Sequence, residues 1–203
     1  MNAYSVLFSM TAKEKLTIYS DLLKTWQKKF NLVSNSTLDN LWERHFIDSA
    51  QLYSLLPKEK KGAVIYDIGA GAGFPGMVLA IMGRQDIILC ERNYKKCTFL
   101  EEVKRQTQTN VIIDNITAER LPSKSAVVVV ARAVTSLEKL LKIAFPLIKS
   151  KGICIFPKGI NWKKELLLAE KHFHIEYDLV KSITSKDSYI FVVNSIESKN
   201  ATN

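Results

Sequence analysis

The chain has 203 residues and a mass of 23.0 kDa, which suits one compact domain or one domain with a small addition. Hydrophobic residues make up 47% of it and charged residues 24%, so a sizeable core can form, which excludes a disordered or low-complexity chain. No apolar run is longer than the six residues of Ala126–Ala131, far fewer than the roughly 20 residues that span a bilayer. The first ten residues lack the marks of a signal peptide, so we expect a cytoplasmic protein without a membrane anchor.

The charge balance points to a polyanionic partner. There are 29 Lys and Arg against 20 Asp and Glu, a net charge of +9, which favours nucleic acid, although a lysine-rich surface that only keeps the chain soluble is the alternative. Residues 1–62 hold nine basic and six acidic residues and 63–203 hold 20 and 14, so the excess indicates a broad surface rather than a basic tail. The three cysteines are scattered without a C-x-x-C spacing, so we expect neither disulfides nor a metal site.

The first 62 residues predict a helical extension. Thr11 and Glu14 have the spacing of a capping box, and apolar residues then recur at helical intervals as far as Phe30. A second helix is predicted to begin near Thr37 and to end at Pro57. Residues 1–62 are therefore predicted as an N-terminal helical extension and 63–203 as the main domain.

Residues 63–203 alternate between short β-rich runs and amphipathic helices, which predicts a parallel sheet covered by helices. Only four residues separate the last two strands, too few for a crossover helix, so these two form an antiparallel hairpin at the end of a seven-stranded, mostly parallel sheet. The predicted strands are Ala63–Ile68, Ile87–Cys90, Val111–Ile113, Val127–Val130, Ile153–Phe156, Glu176–Thr184 and Tyr189–Ile196, and the predicted helices are Pro75–Met82, Tyr94–Thr107, Ser136–Lys149 and Trp162–Lys171.

A glycine-rich loop follows the first strand, over Asp67–Gly76. Gly69, Gly71 and Gly73 stand at alternate positions, where they allow a sharp turn and a close approach to a ligand. The loop satisfies G-x-G-x-x-G, and Glu91 ends the second strand twenty residues after Gly71, where a carboxylate accepts ribose hydroxyls. Both features fit NAD and equally fit S-adenosylmethionine.

Three further features favour S-adenosylmethionine over NAD. With this ligand, residues 63–203 are predicted to form an α/β domain with the class I, Rossmann-like methyltransferase fold. Asp67 directly precedes the glycines, where a carboxylate suits an ammonium or sulfonium better than a pyrophosphate. Nicotinamide-binding sheets continue with parallel strands rather than a terminal hairpin. Ala118 and Glu119 follow the third strand, where they would flank an adenine ring. An NAD-dependent oxidoreductase stays as the alternative enzyme, and an RNA-binding assembly factor with a vestigial donor site as the alternative from another class.

The sequence indicates the methyl acceptor less clearly than the methyl donor. No Asn/Asp-Pro-Pro-Tyr/Phe sequence follows the fourth strand, where Arg132 stands instead, and all three cysteines fall in packing positions. A ring nitrogen with a free lone pair, such as N7 of guanine, would need no deprotonation, and positioning would supply most of the catalysis. Arg132 and Lys158 end two strands and are the candidate catalytic residues.

The candidate RNA-binding residues are basic side chains around this region. Arg44 and Asp48 are four residues apart and could instead form an intrahelical salt bridge. His45 alternates with apolar neighbours, as a core histidine does. The full candidate set is Arg44, His45, Lys95, Lys96, Lys163 and Lys164.

Several blocks together resemble the glucose-inhibited division protein B family, the small-subunit ribosomal RNA guanine-N7 methyltransferases. They are Asn31-Leu32-Val33-Ser34, Arg44-His45-Phe46-Ile47-Asp48-Ser49, Asp67–Gly76 with its Gly-Phe-Pro-Gly ending, Lys95-Lys96 with Phe99-Leu100, Ala118-Glu119, Arg132-Ala133 with Leu137, and Lys158-Gly159. The resemblance runs from about Asn31 to Gly159. Where many members have Asp-Ser at the end of the second strand, this chain has Glu91-Arg92.

The resemblance implies a substrate and a set of contacts to the methyl donor. The substrate would be one guanosine of 16S ribosomal RNA or of the small ribosomal subunit, methylated at N7 by a protein that we expect to be a monomer. The donor contacts that the resemblance implies are Gly69, Phe74, Ala118, Glu119 and Arg132, to which the glycine-loop argument adds Asp67, Gly71, Gly73 and Glu91.

Overall fold

A computed structural model describes residues 7–199. Helix α1 spans Met10–Gln27 and is capped by Ser9, whose hydroxyl accepts a hydrogen bond from the backbone N–H of Ala12 at 3.1 Å. The predicted capping box was therefore wrong, because the helix begins two residues too early for Thr11 to act as its cap. The buried face of α1 carries Leu16, Tyr19 and Leu23, as the apolar spacing predicted.

The second predicted helix is broken into short segments, so the prediction of one regular helix was wrong. A 3₁₀ turn covers Asn35–Thr37, a π-helical segment covers Trp42–Ile47, helix α2 covers Asp48–Ala50, and a further 3₁₀ turn covers Tyr53–Leu55. The wider π-helical turn changes which side chains share a face, and such turns are frequent at functional sites.

The sheet has seven strands, which are β1 (Ile65–Ile68), β2 (Ile87–Cys90), β3 (Ile112–Asp114), β4 (Ala126–Val130), β5 (Ile148–Lys158), β6 (Phe173–Lys181) and β7 (Tyr189–Ser198). Their order in the sheet is β3-β2-β1-β4-β5-β7-β6. Strands β1 to β5 run parallel, and β7 inserts antiparallel between β5 and β6. This is the predicted mostly parallel sheet with a terminal hairpin.

Four helices connect the parallel strands and the start of the hairpin: α3 (Gly76–Ile81), α4 (Tyr94–Thr107), α5 (Leu137–Ala144) and α6 (Trp162–Ala169). The predicted bounds of α4 match those observed. The prediction for α5 ran too far, to Lys149, because β5 already begins at Ile148 and extends well beyond the short apolar run that announced it.

The N-terminal segments pack onto the sheet domain rather than forming a separate core. Tyr19 of α1 and Phe46 of the π-helical segment are fully buried beside Phe74 and Phe99 in one continuous cluster. This packing places the π-helical segment against the carboxyl ends of the strands. Within residues 7–199, no helix is both long and apolar enough to cross a bilayer.

Candidate functional site

A cavity of about 920 Å³ lies at the carboxyl ends of β1, β2, β3 and β4. In open α/β sheets this edge is where ligands bind. The residues that form its walls come from the glycine loop, from the ends of the next strands and from the π-helical segment, and include Gly69, Ala70, Gly71, Ala72, Phe74, Glu91, Arg92, Lys96, Thr117, Ala118, Glu119, Arg132, Thr135, Arg44 and His45.

The glycine loop presents backbone to this cavity at Gly69 and Gly71, which have φ values of +67° and +60°. A Cβ added at Gly71 would have no neighbour closer than 3.7 Å, so that part of the loop is open rather than filled by packing. Glu91 fixes the loop, because one of its carboxylate oxygens accepts from the Gly71 N–H at 2.9 Å and the other from the Asn93 N–H at 2.7 Å. Each oxygen keeps a further lone pair for a ligand hydroxyl.

Gly73 and Asp67 were predicted to contact the donor, and the structure places neither on the cavity wall. A Cβ at Gly73 would lie 2.5 Å from the Tyr19 hydroxyl and 2.9 Å from both Leu100 and Met77, so this glycine serves close packing. Asp67 is fully buried beneath the loop, where Oδ2 accepts from the Gly76 N–H at 2.8 Å. Both residues therefore shape the loop from below, and a direct contact of either one with the donor stays a prediction.

Burial governs the ionisation of Asp67. Its Oδ1 is buried and accepts no hydrogen bond from the described residues. Loss of solvation raises the pKa of this carboxyl to about 7, against the lowering effects of the Gly76 N–H and of Arg132. Asp67 is thus partly protonated at neutral pH, which makes it a poor fixed anion for a cationic donor.

The far wall of the cavity follows β3. A 3₁₀ turn over Ala118–Arg120 brings Ala118 and Glu119 to the cavity opposite the glycine loop. The open backbone at Gly71, the Glu91 carboxylate and this wall fit the methionine, ribose and adenine parts of S-adenosylmethionine in that order. The residues of the chain therefore fit the group that the sequence predicted.

Arg132 follows β4 and holds the π-helical segment in place. Its Nη1 donates to the backbone carbonyl of Arg44 at 2.9 Å and to Asp48 Oδ2 at 3.3 Å, and its Cζ lies 5.1 Å from the centre of the Phe74 ring. Nε is buried without a partner among the described residues. The side chain is only 14% exposed, yet it forms part of the wall of two cavities.

His45 is buried between Arg132 and Thr37. Nη2 of Arg132 donates to its Nδ1 at 2.6 Å, so its Nε2 carries the proton and donates to Thr37 Oγ1 at 2.8 Å. The ring stacks on Phe74 with centroids 4.8 Å apart. Burial, Arg132 and Arg44 together lower the pKa of His45 to about 3, so the imidazole is neutral. These contacts favour the core interpretation of His45 over RNA contact.

The alternative salt bridge between Arg44 and Asp48 does not form. Asp48 binds Arg132 instead, and its Oδ1 accepts from Thr184 Oγ1 at 2.7 Å and from Gln51 Nε2 at 2.9 Å. Arg44 is exposed, and its guanidinium donates to no described residue. The π-helical turn separates side chains that would be neighbours in a regular helix.

A second, smaller cavity of about 270 Å³ adjoins the first. The two cavities share Arg44, Arg132, Ala133 and Thr135. Lys158 belongs to the second one and is nearly buried, with Nζ 2.7 Å from the Thr135 carbonyl and 2.9 Å from Glu165 Oε2. Burial lowers the pKa of Lys158, and these contacts commit its ammonium to holding the wall.

Of the four remaining basic candidates, only Lys96 lines a cavity. Lys96 contributes to the wall of the first cavity, while Lys95 is exposed with Nζ 5.5 Å above the Phe30 ring. Lys163 and Lys164 are exposed on α6 and line neither cavity. Among the described residues, no group of three potential metal ligands occurs.

Sequence reasoning singled out Arg44, Arg132 and Lys158, but it missed Glu165 and Thr184, and it did not predict that the second cavity brings them together with Asp48. Asp48 and Thr184 are 136 positions apart, and Glu165 lies on a helix whose sequence carries no motif. Only the polar turn between β6 and β7, rich in serine and threonine, gave a local signal, and it was used only to predict a hairpin.

The comparisons with known proteins agree with this geometry. The family model for rRNA small subunit methyltransferase G matches residues 12–190. Curated relatives with the name ribosomal RNA small subunit methyltransferase G include the protein of Paramagnetospirillum magneticum, 41% identical over 90% of this chain and 88% of that protein, and that of Rhodospirillum centenum, 39% identical over 90% and 84%.

Solved structures show the same fold at low sequence identity. A S-adenosylmethionine-dependent methyltransferase from Aquifex aeolicus has a TM-score of 0.60 at 13% identity and covers 80% of this chain and 100% of its own. The crystal structure of M. jannaschii TYW2 in complex with AdoMet has a TM-score of 0.54 at 18% identity and covers 83% and 78%. These proteins thus share the overall fold of this chain.

Proposed function

Since this chain belongs to the rRNA small subunit methyltransferase G family, we propose that it transfers a methyl group from S-adenosylmethionine to N7 of a guanosine in 16S ribosomal RNA. One observation carries the proposal on the side of the structure. The glycine loop after β1, the Glu91 carboxylate after β2 and the Ala118–Glu119 wall after β3 open into a single cavity. Beside it, Arg132 separates that cavity from a second one.

The donor side uses backbone and one carboxylate. When bound, S-adenosylmethionine supplies a methyl group on a sulfonium centre. Gly71 gives the donor room to approach the backbone, and Glu91 accepts from the ribose hydroxyls. Ala118 and Glu119 flank the adenine, and Phe74 supports the loop from the side of the N-terminal segment. Arg132 orients the wall between donor and acceptor rather than facing the sulfonium, because its nitrogens bind Asp48, Arg44 and His45.

The ionisable groups near the cavity favour an acceptor that needs no base. Burial raises the pKa of Cys90, Cys97 and Cys154, so none of these thiols is a ready nucleophile. Both ring nitrogens of His45 are occupied by hydrogen bonds. N7 of guanine has a free lone pair, so the N7–CH₃ bond forms while the S–CH₃ bond breaks and its electron pair stays on sulfur. Holding the two reactants in line then supplies the catalysis.

The rim of the first cavity carries positive charge for an RNA backbone. Arg44, Arg92 and Lys139 are exposed there, and Lys96 stands beside them. Such contacts to phosphates fix orientation and make binding weaken as salt rises. The net charge of +9 acts in the same direction over a longer range.

The alternatives receive no support. The comparisons give methyltransferases rather than nicotinamide-dependent enzymes, and no observation favours an assembly factor without activity. A monomeric state and a cytoplasmic location stay predictions.

The proposal is tested by transfer of labelled methyl to small ribosomal subunits from a strain that lacks the modification. We expect the wild-type chain to label the RNA and Gly71→Asp to abolish labelling. Glu101→Gln, an exposed substitution on α4, is the matched control and should label the RNA normally. Tight S-adenosylmethionine binding with no labelling of RNA, subunit or ribosome would reject the proposed substrate.

A further inference from the structure

The second cavity has the chemistry of a pocket for one purine base. Its volume of about 270 Å³ is just below the range of roughly 300–1,000 Å³ found for drug-sized ligands, so it suits a single base. Tyr189 offers an aromatic ring, and the turn after β6 offers the hydroxyl of Ser185. The two other hydroxyls of this turn hold it in place, because Thr184 Oγ1 donates to Asp48 and Ser188 Oγ donates to Ser185. Aromatic rings and side-chain hydrogen bonds are what proteins use to read an unpaired RNA base.

The carboxylate of Glu165, which lines this cavity, has one oxygen that accepts no hydrogen bond from the described residues. Oε2 of Glu165 accepts from Lys158 Nζ at 2.9 Å and from the Leu137 N–H at 2.7 Å. No described residue donates to Oε1, and the side chain is 26% exposed toward the cavity. The bonds on Oε2 fix the carboxylate, so that Oε1 is presented in a constant position.

The other carboxylate of the cavity is already used. Oδ1 of Asp48 accepts from Thr184 and Gln51, and Oδ2 binds Arg132. Asp48 therefore joins the N-terminal segment to the turn after β6. This leaves Glu165 as the carboxylate of the cavity with an acceptor atom that no described residue uses.

We propose that Glu165 determines specificity for guanine by accepting a hydrogen bond from its N1–H or 2-amino group. The inference rests on the proposed function. N7 must face the first cavity, where the methyl group is held, and N1 and the 2-amino group lie on the opposite edge of the base. That edge then faces the second cavity across the shared wall of Arg132, Ala133 and Thr135. Adenine places a lone pair at N1, which a carboxylate repels.

A purely structural role for Glu165 makes a different prediction. If it only neutralises Lys158, its substitution changes folding but does not change which base is bound. Glu165→Gln keeps the side-chain length and an oxygen for the Leu137 N–H, and it removes the charge that distinguishes guanine from adenine. Glu170→Gln, on the residue that directly follows α6 and lies outside both cavities, is the matched control.

The test measures binding of GMP and of AMP by calorimetry to the full chain saturated with S-adenosylhomocysteine, alongside the melting temperature. We expect the wild type and Glu170→Gln to bind GMP at least tenfold more tightly than AMP, the size expected for a hydrogen bond to a charged group. Glu165→Gln should reduce this preference to within about twofold while its affinity for S-adenosylhomocysteine is unchanged.

Three binding results would overturn the inference: an unchanged preference for GMP in Glu165→Gln, no preference in the wild type, or no binding of GMP at all. Methyl transfer to small subunits separates this inference from the proposed function. If the wild type and Glu165→Gln label the RNA with equal kcat/KM, the proposed substrate is supported and the proposed role of Glu165 in guanine specificity is rejected. If the wild type labels nothing while GMP is still preferred through Glu165, the proposed substrate is rejected instead.

Discussion

The guanidinium of Arg132 donates a hydrogen bond of 2.6 Å to Nδ1 of His45, a residue 87 positions earlier in the chain. This contact joins the end of β4 to the π-helical segment, and it requires an uncharged imidazole because only a neutral ring has a nitrogen that accepts. The wall between the two cavities depends on it.

Replacing His45 should therefore destabilise the protein. His45→Ala leaves an Arg132 donor buried without this partner and removes a ring that stacks on Phe74. We expect a loss of about 1–3 kcal/mol in the free energy of unfolding, measured with urea at pH 7.5. His174→Ala, at an exposed position on β6, should change it by less than about 0.5 kcal/mol. Equal effects of the two substitutions would contradict the account.

The same contact makes the free energy of unfolding depend on pH. The folded protein holds His45 neutral down to about pH 3, whereas the unfolded chain protonates it near its ordinary pKa of 6.5. The unfolded state thus binds more protons between these values, so acid destabilises the fold, by about 2 kcal/mol at pH 5 for this group. We expect the stability gap between wild type and His45→Ala to narrow by that order from pH 7.5 to pH 5. A gap that is constant with pH would show that His45 titrates normally.

Titration of Asp67 should change the stability with pH in the opposite direction to that of His45. Its folded-state pKa of about 7 lies above the ordinary value of 3.8, so its contribution is present below pH 3.8 and is lost as pH rises through 7. Asp67→Asn removes the titration and should gain stability relative to wild type by up to about 4 kcal/mol between pH 4 and pH 8. Urea unfolding across this range is the measurement. For the exposed substitution Asp187→Asn, the free energy of unfolding should change with pH as it does in the wild type. If the same were found for Asp67→Asn, the pKa of Asp67 would not be raised by burial.

The elements of the sheet could be predicted from the sequence because their signals are local. Period-two and apolar runs marked the strands, and the four residues between the last two strands required a hairpin. The N-terminal region could not be predicted in detail, because Phe46 of the π-helical turn at Trp42–Ile47 packs against Phe74 and Tyr19, which are distant in the sequence, and no local pattern indicates this packing. The alternate glycines gave no sign that Gly71 faces a cavity while Gly73 faces the core.

That difference between the two glycines can be measured. Gly73→Ala forces a Cβ to within 2.5 Å of the Tyr19 hydroxyl at a φ of +97°, so we expect a loss of about 1–3 kcal/mol in stability. Gly71→Ala meets no close neighbour and should cost about 1 kcal/mol, from its φ of +60° alone. Urea unfolding compares them. If Gly71→Ala proved the more destabilising, the placement of the loop would be wrong.

Glu91 should act on ligand affinity. Glu91→Gln sets an amide against the N–H groups of Gly71 and Asn93 and removes the charge that accepts ribose hydroxyls, so we expect S-adenosylmethionine to bind at least tenfold more weakly. Calorimetry measures this, and Glu101→Gln on the outer face of α4 should bind as the wild type does. Unchanged affinity in Glu91→Gln would remove this carboxylate from the donor site.

Methyl transfer to N7 of a guanosine can be tested in cells by mapping the methylated nucleotides of 16S ribosomal RNA with and without this gene. We expect one 7-methylguanosine that is present with the gene, absent without it, and restored by the wild-type chain but not by Gly71→Asp. Identical modification maps in the two strains, or a difference at an atom other than N7 of guanosine, would contradict it.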